Sequence, residues 1–244
     1  MSENDSLIDR IKENLGVTFP RVIQRNSRLI SLVTVFFIGV ICFSLVASLV
    51  GDNPVNEAIS DFTEPSRERI ENLAGDFSTS FDIARIVLVN NSVSVLSIIG
   101  LGIIFGVIPI LALILNGFII GFIIGTSNLP IIGTLSVVLP HGFLELSGVL
   151  IAISCGIKLG IGSIKSVIER SLDPLREEFM DVKKLLPGIF LLILIAGFIE
   201  GFFSTLYGPI VNYLKIIFSL VVLALILLWF SGEHSSSLSG KSAR

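Results

Sequence analysis

The chain has 244 residues, of which 52% are hydrophobic and 15% charged, a balance that leaves too little polar surface to cover a water-soluble domain of this size, so lipid must be the solvent for much of it. The apolar runs are long and do not alternate, which excludes a membrane β-barrel. The net charge of −3 has no basic patch behind it to suit nucleic acid, and Cys42 and Cys155 both fall inside apolar runs, against a disulfide framework or a thiolate metal site.

Residues 1–28 carry Arg10, Lys12, Arg21, Arg25 and Arg28, with Leu7, Ile8, Ile11 and Leu15 at helical spacing. This pattern predicts an amphipathic helix lying on a membrane surface. The first membrane helix follows over 29–50 and ends at the turn residues Gly51-Asp52-Asn53-Pro54. It is longer than the apolar core of a cleavable signal and reads as retained; cleavage near Val46-Ala47-Ser48 is the lesser reading. Residues 52–85 form an acidic loop broken by Pro65, after which Ile70, Leu73, Phe77, Phe81 and Ala84 predict an amphipathic helix leading into the second span.

From Ile86 to Ile157 there is no Lys, Arg or Asp, and such a run is too long for one span of about 20 residues. Dividing it at Pro109 and at the Ser127 to Pro130 stretch predicts spans over 86–108, 110–127 and 131–157, the last kinked at Pro140. Residues 158–184 carry Lys158, Lys165, Arg170, Arg176, Lys183 and Lys184. Ile161, Ile164, Ile168, Leu172, Leu175, Phe179 and Val182 step by three and four through the same stretch, which predicts an amphipathic interfacial helix. Two spans over 186–206 and 209–230 complete an all-α membrane protein of about six transmembrane helices. Trp229 stands where an interfacial aromatic anchor belongs, and the tail over 231–244 is expected to be disordered. Thirteen of the seventeen basic residues lie in the N-terminal segment, the 158–184 stretch and the tail. Six spans put all three on one side, predicted cytoplasmic.

Polar groups inside the spans are the informative positions, because each is costly in hydrocarbon unless it faces protein or water. Asn90 and Asn91 lie in the second span, Asn116 in the third, His141 and Glu145 in the fourth, and Glu200 in the fifth. Counting about 1.5 Å per residue from the outer ends of the spans places these groups in one layer of the outer leaflet, which predicts a shared polar cluster. Lys215, near the outer end of the sixth span, is expected to snorkel to the interface. His141 and Glu145 share a helix face that continues through the small residues Gly148, Ala152 and Cys155. Gly117, Gly121 and Gly125 form a doubled G-x-x-x-G, and Gly197 and Gly201 frame Glu200; both sets predict close helix packing. A divalent metal site and a proton or ion relay compete with a buried network that fixes helix register. The small neighbours favour the network, H-x-x-x-E alone being a weak metal signal. No Ser or Cys nucleophile stands beside a base, so neither catalysis nor a cofactor is expected.

Val89-Asn90-Asn91, Asn116-Gly117, Leu139-Pro140-His141-Gly142 with Glu145, and Phe198-Ile199-Glu200 together resemble the stage II sporulation protein M family over about residues 85–205. The resemblance implies an all-helical plasma-membrane protein. The founding members act in spore engulfment as membrane components of a complex with peptidoglycan-degrading enzymes. The reading that follows is a membrane scaffold or anchor of a cell-envelope remodelling complex, non-enzymatic, with a small transporter or channel using the polar cluster as the alternative. The expected partners are the lipid bilayer and other membrane or cell-envelope proteins, with homo-oligomerisation left open and no nucleic acid.

Overall fold

Apolar stretches of about twenty residues have one stable single-segment form in lipid, the helix, which satisfies every backbone polar group internally. The computed structural model describes residues 3–50, 57, 61, 79–127, 130–203, 206 and 208–232. Its helices are α1 (Glu3–Glu13), α2 (Phe19–Arg25), α3 (Ser27–Leu49), α4 (Ser80–Leu101), α5 (Val107–Thr126), α6 (Ile131–Glu169), α7 (Asp173–Phe202) and α8 (Pro209–Ser231), with a π-helical stretch over Asn14–Thr18 joining α1 to α2. The described residues contain no strand. Six helices, α3 to α8, are long and apolar enough to cross a membrane. Most of the acidic 52–85 loop, Tyr207 and the tail beyond 232 lie outside the described residues.

Two boundaries differ from the sequence expectation. The break between the second and third spans falls at 102–106 and not at Pro109. Phe105 and Gly106 adopt left-handed backbone, φ 52° and 74°, which ends helical continuity there. Pro109 sits in the first turn of α5, where its missing N–H has no intrahelical partner to lose. The second difference is larger: residues 158–184 are not one interfacial helix. Helix α6 runs unbroken through Pro140 to Glu169, and α7 starts at Asp173. The reversal is made by left-handed Arg170 (φ 52°) and by Ser171, whose hydroxyl bonds the Asp173 carboxylate at 2.7 Å and accepts the Asp173 N–H at 3.1 Å. The apolar stripe therefore divides between two antiparallel arms, with Val182 buried and Ile168, Leu172 and Phe179 exposed.

Helix α6 is the centre of the bundle and packs against α3, α4, α5, α7 and α8. Its seams need small residues. A Cβ on Gly156 would meet the Pro109 ring and the Ile98 carbonyl, so α4 and the start of α5 come close to backbone contact with it. The Gly117, Gly121 and Gly125 stripe meets α3: a Cβ at the middle position would collide with the Ile41 carbonyl oxygen, and Ser44 donates across the same seam to the Phe118 carbonyl at 2.7 Å. Small residues on such a seam let dispersion contacts and polar bonds join helices that gain nothing from hydrophobic exclusion in lipid.

The N-terminal segment also differs from a helix lying wholly on the membrane. The apolar residues of α1, Leu7, Ile8 and Ile11, are exposed as a surface helix requires, but Phe19, Val22 and Ile23 of α2 are buried in the main core. The Phe19 ring covers Gly188 of α7 and stacks on Trp229 of α8 with centroids 4.6 Å apart. Burying this ring contributes roughly 2–3 kcal/mol. Trp229 is thus a partly buried clamp between α8 and the N-terminal segment, its indole N–H donating to the Leu15 carbonyl at 2.8 Å. Asn14 donates to the Lys184 carbonyl at 3.3 Å. Lys158 contacts Asn26 at 2.7 Å, Glu178 at 2.9 Å and Asp181 at 3.3 Å, and Arg25 pairs with Asp181. The basic residues of the 158–184 stretch therefore include one that fastens the α2–α3 corner to the α6–α7 hairpin.

Candidate functional site

Helix α6 presents His141 and Glu145 one turn apart, and α7, its antiparallel partner, presents Glu200. A ligand atom from each lies within 4.8 Å of the others, and all three side chains are half-buried. The pairing of the two helices sets this register. Gly148, one turn beyond Glu145, lies against Ile193 and Leu192 of α7, and Ala152 and Ala196 are fully buried in the same core. Small residues on α6 therefore let α7 approach closely enough for Glu200 to reach across. Pro140 precedes the histidine and has no N–H to offer the Ser136 carbonyl, which loosens the helix ladder beside the site.

Two further helices contribute. Asn91 of α4 hydrogen-bonds the Glu145 side chain. From α8, Lys215 lies close enough to act electrostatically on His141. Its ammonium donates to the Leu206 carbonyl at 2.6 Å, and the residue is fully buried. Lys215 thus reaches toward the outer end of α8, as expected, and finishes on a backbone carbonyl in the connection between α7 and α8. Sequence reasoning left Lys215 out of the polar cluster. The available signal was its place in an otherwise uncharged helix, five positions after the Ile210 end of the apolar run.

The structure does not bring every expected residue to this point. Asn90 is exposed on α4, because the residue next to an inward-facing Asn91 is turned about 100° around the helix. Asn116 donates its amide to the Ala112 carbonyl of its own helix at 2.7 Å. Gly201 faces Ser80 and Ala84 of α4, where a Cβ would not fit, whereas a Cβ on Gly197 would make ordinary contacts with Ala84 and Leu88 at 3.4–3.5 Å. Both glycines line the α4 seam of α7 beside Glu200. Cys42 is exposed and Cys155 buried, and both are free thiols.

At the opposite end of the bundle a second charged cluster surrounds Asp181, on the part of α7 that precedes its apolar span. Burial works against the charge of this carboxyl, but hydrogen bonds from Arg25 and Lys158 and their positive charges outweigh it and hold the group below the usual carboxylate range. The cluster joins α2, α6 and α7 and reads as a fastening between elements.

An uncharacterized protein of Methanocaldococcus jannaschii is 33% identical to the chain over 122 residues, covering 48% of this chain and 68% of the relative. No solved structure matches. The family model for stage II sporulation protein M matches residues 31–205, a stretch that runs from the first membrane helix to the end of the fifth and includes His141, Glu145 and Glu200. On that match, covering well over half of its length, this multi-pass membrane protein belongs to the stage II sporulation protein M family.

Proposed function

We propose that the protein is a membrane scaffold that anchors a cell-envelope remodelling complex, with both termini cytoplasmic and its partner contacts on the outer side. The observation that supports this most directly is the way the membrane helices lock together. Helix α6 meets α4 and the start of α5 through glycine crossings at Gly156 and Gly160, and α3 meets α5 through Gly121, where one added carbon would run into neighbouring backbone. Interfaces of this kind suit a platform that holds a fixed shape. The family membership points the same way. Within this reading His141, Glu145, Glu200 and Asn91 are the polar centre that sets helix register.

A small transporter is the second reading, favoured by the same cluster, since half-buried acids and a histidine within a membrane domain are frequent parts of ion pathways. Affinity purification from cross-linked native membranes separates the two. A scaffold is recovered in a fixed ratio with peptidoglycan-modifying or other envelope proteins, and shows no solute or proton flux in proteoliposomes. Recovery of the chain alone, together with a solute or proton flux in proteoliposomes that His141→Ala abolishes, would overturn the scaffold in favour of transport.

A further inference from the structure

We propose that His141, Glu145 and Glu200 bind a divalent transition-metal ion of the zinc class, joining α6 to α7 within the membrane domain. In the sequence His141-x-x-x-Glu145 is a weak metal signal set below a structural network; the convergence of Glu200 on the same pair in three dimensions raises it. The inference stands whether or not the protein is a scaffold.

Geometry comes first. Ligands sharing one zinc ion at about 2.0–2.2 Å from it stand roughly 3.3–3.5 Å apart. The donor atoms here already lie within 4.8 Å of one another, so the separations have to close by no more than about 1.5 Å to share one ion. Two of the ligands are fixed by the i, i+4 spacing on α6, and the third is held by the tight packing of α7 on the same helix.

Charge gives the second argument. Glu145 and Glu200 lie close enough to repel each other, and two adjacent carboxyls away from water need a cation, a shared proton or hydrogen bonds to compensate them. Lys215 brings a single positive charge near this group. A divalent cation cancels both carboxylates at their own position. Donor chemistry then selects the ion: one imidazole nitrogen with two carboxylate oxygens suits zinc, iron or manganese, whereas magnesium and calcium favour oxygen alone and copper(I) favours sulfur. Three protein ligands leave a further coordination position open. Asn91, bonded to Glu145, orients a ligand from outside, the role that second-shell groups play in metal sites.

The test uses full-length protein in detergent, stripped with a chelator and titrated with Zn²⁺ against a chromophoric competitor. One Zn²⁺ per chain is expected, with a rise in melting temperature. Glu145→Gln and Glu200→Gln, which keep the side-chain shape, should each weaken binding at least tenfold, and Asn91→Ala about tenfold. His234→Ala, which removes the other histidine of the sequence, should leave the affinity unchanged. Where a variant does not fold, Co²⁺ bound to the wild-type protein provides the second readout: a four- or five-coordinate visible spectrum without thiolate bands is expected. Absence of stoichiometric Zn²⁺ binding by the folded wild type overturns the proposal. So does unchanged affinity in folded Glu200→Gln, or a Co²⁺ spectrum that is purely octahedral or carries thiolate bands.

Discussion

Gly121 and Gly197 are both helical glycines on seams, yet they answer differently to the same added methyl group. At Gly121 the new Cβ meets the Ile41 carbonyl oxygen and comes within 2.7 Å of the Ser44 Cβ, so α3 has to withdraw along its length. Gly121→Ala should therefore cost about 1–3 kcal/mol, and Gly121→Leu should prevent the bundle from assembling. At Gly197 the nearest neighbour, the Ala84 carbonyl oxygen, is 3.4 Å from the same point. Gly197→Ala should be neutral or gain up to about 1 kcal/mol from helix propensity. Thermal melting of the two alanine variants in one detergent reads the contrast directly. Equal melting temperatures would show that the α3–α5 seam is loose.

At the scale of elements, the corner between α2 and α3 depends on Asp181, which receives Arg25 of α2 and Lys158 of α6. Because the folded protein holds this carboxyl below its ordinary range, ionised Asp181 stabilises the fold. That contribution is complete above the unfolded value near pH 4 and disappears as the pH falls through the lower folded value. Asp181→Asn should therefore lower stability by about 2 kcal/mol at neutral pH, and the gap from the wild type should narrow in acid. Melting curves of both proteins from pH 7 down to pH 3 provide the measurement. A gap that stays constant across this range would mean that Asp181 acts through packing alone. The same corner explains why the 158–184 stretch misleads when read as sequence: its basic and apolar residues have helical spacing, but a three-residue reversal divides them between two arms.

For the whole molecule, orientation is the open quantity with the simplest test. The basic N-terminal segment, the hairpin between α6 and α7 and the end of α8 meet at one end of the bundle, joined by the Trp229–Leu15, Asn14–Lys184 and Lys158–Asn26 bonds. With basic residues concentrated there, this end should face the cytoplasm. A cysteine placed at Ser66, in a background lacking Cys42 and Cys155, should react with an impermeant reagent in intact cells. Labelling only after permeabilisation would mean the opposite orientation. The six membrane helices were legible in the sequence because lipid demands long apolar runs, and the α6 face was legible because His141 and Glu145 obey helical spacing. Counting residues inward puts Glu200 near the depth of His141 but says nothing of the face it presents, which α7 packing sets. Other features depend on tertiary fit. Helical rotation turns Asn90 outward beside an inward Asn91, Lys215 finds a backbone carbonyl within the protein, and left-handed Gly106 ends the helix break before Pro109 is reached. None of these leaves a periodic trace.

The docking of Phe19 over Gly188 and against Trp229 has a consequence for biogenesis. Leu15 and Trp229, joined by a hydrogen bond, are 214 positions apart in the chain, and Gln24 donates to the Phe230 carbonyl at 3.3 Å and to that of Ser231. The N-terminal segment thus takes one side of its seat from α7 and the other from α8, so the seat is complete only once α8 is in place. Until then the apolar sides of α1 and α2 have the bilayer surface as their available shelter. A chain ending before α8 should therefore keep the α7 contacts of its N-terminal segment and lose those to Trp229, Phe230 and Ser231.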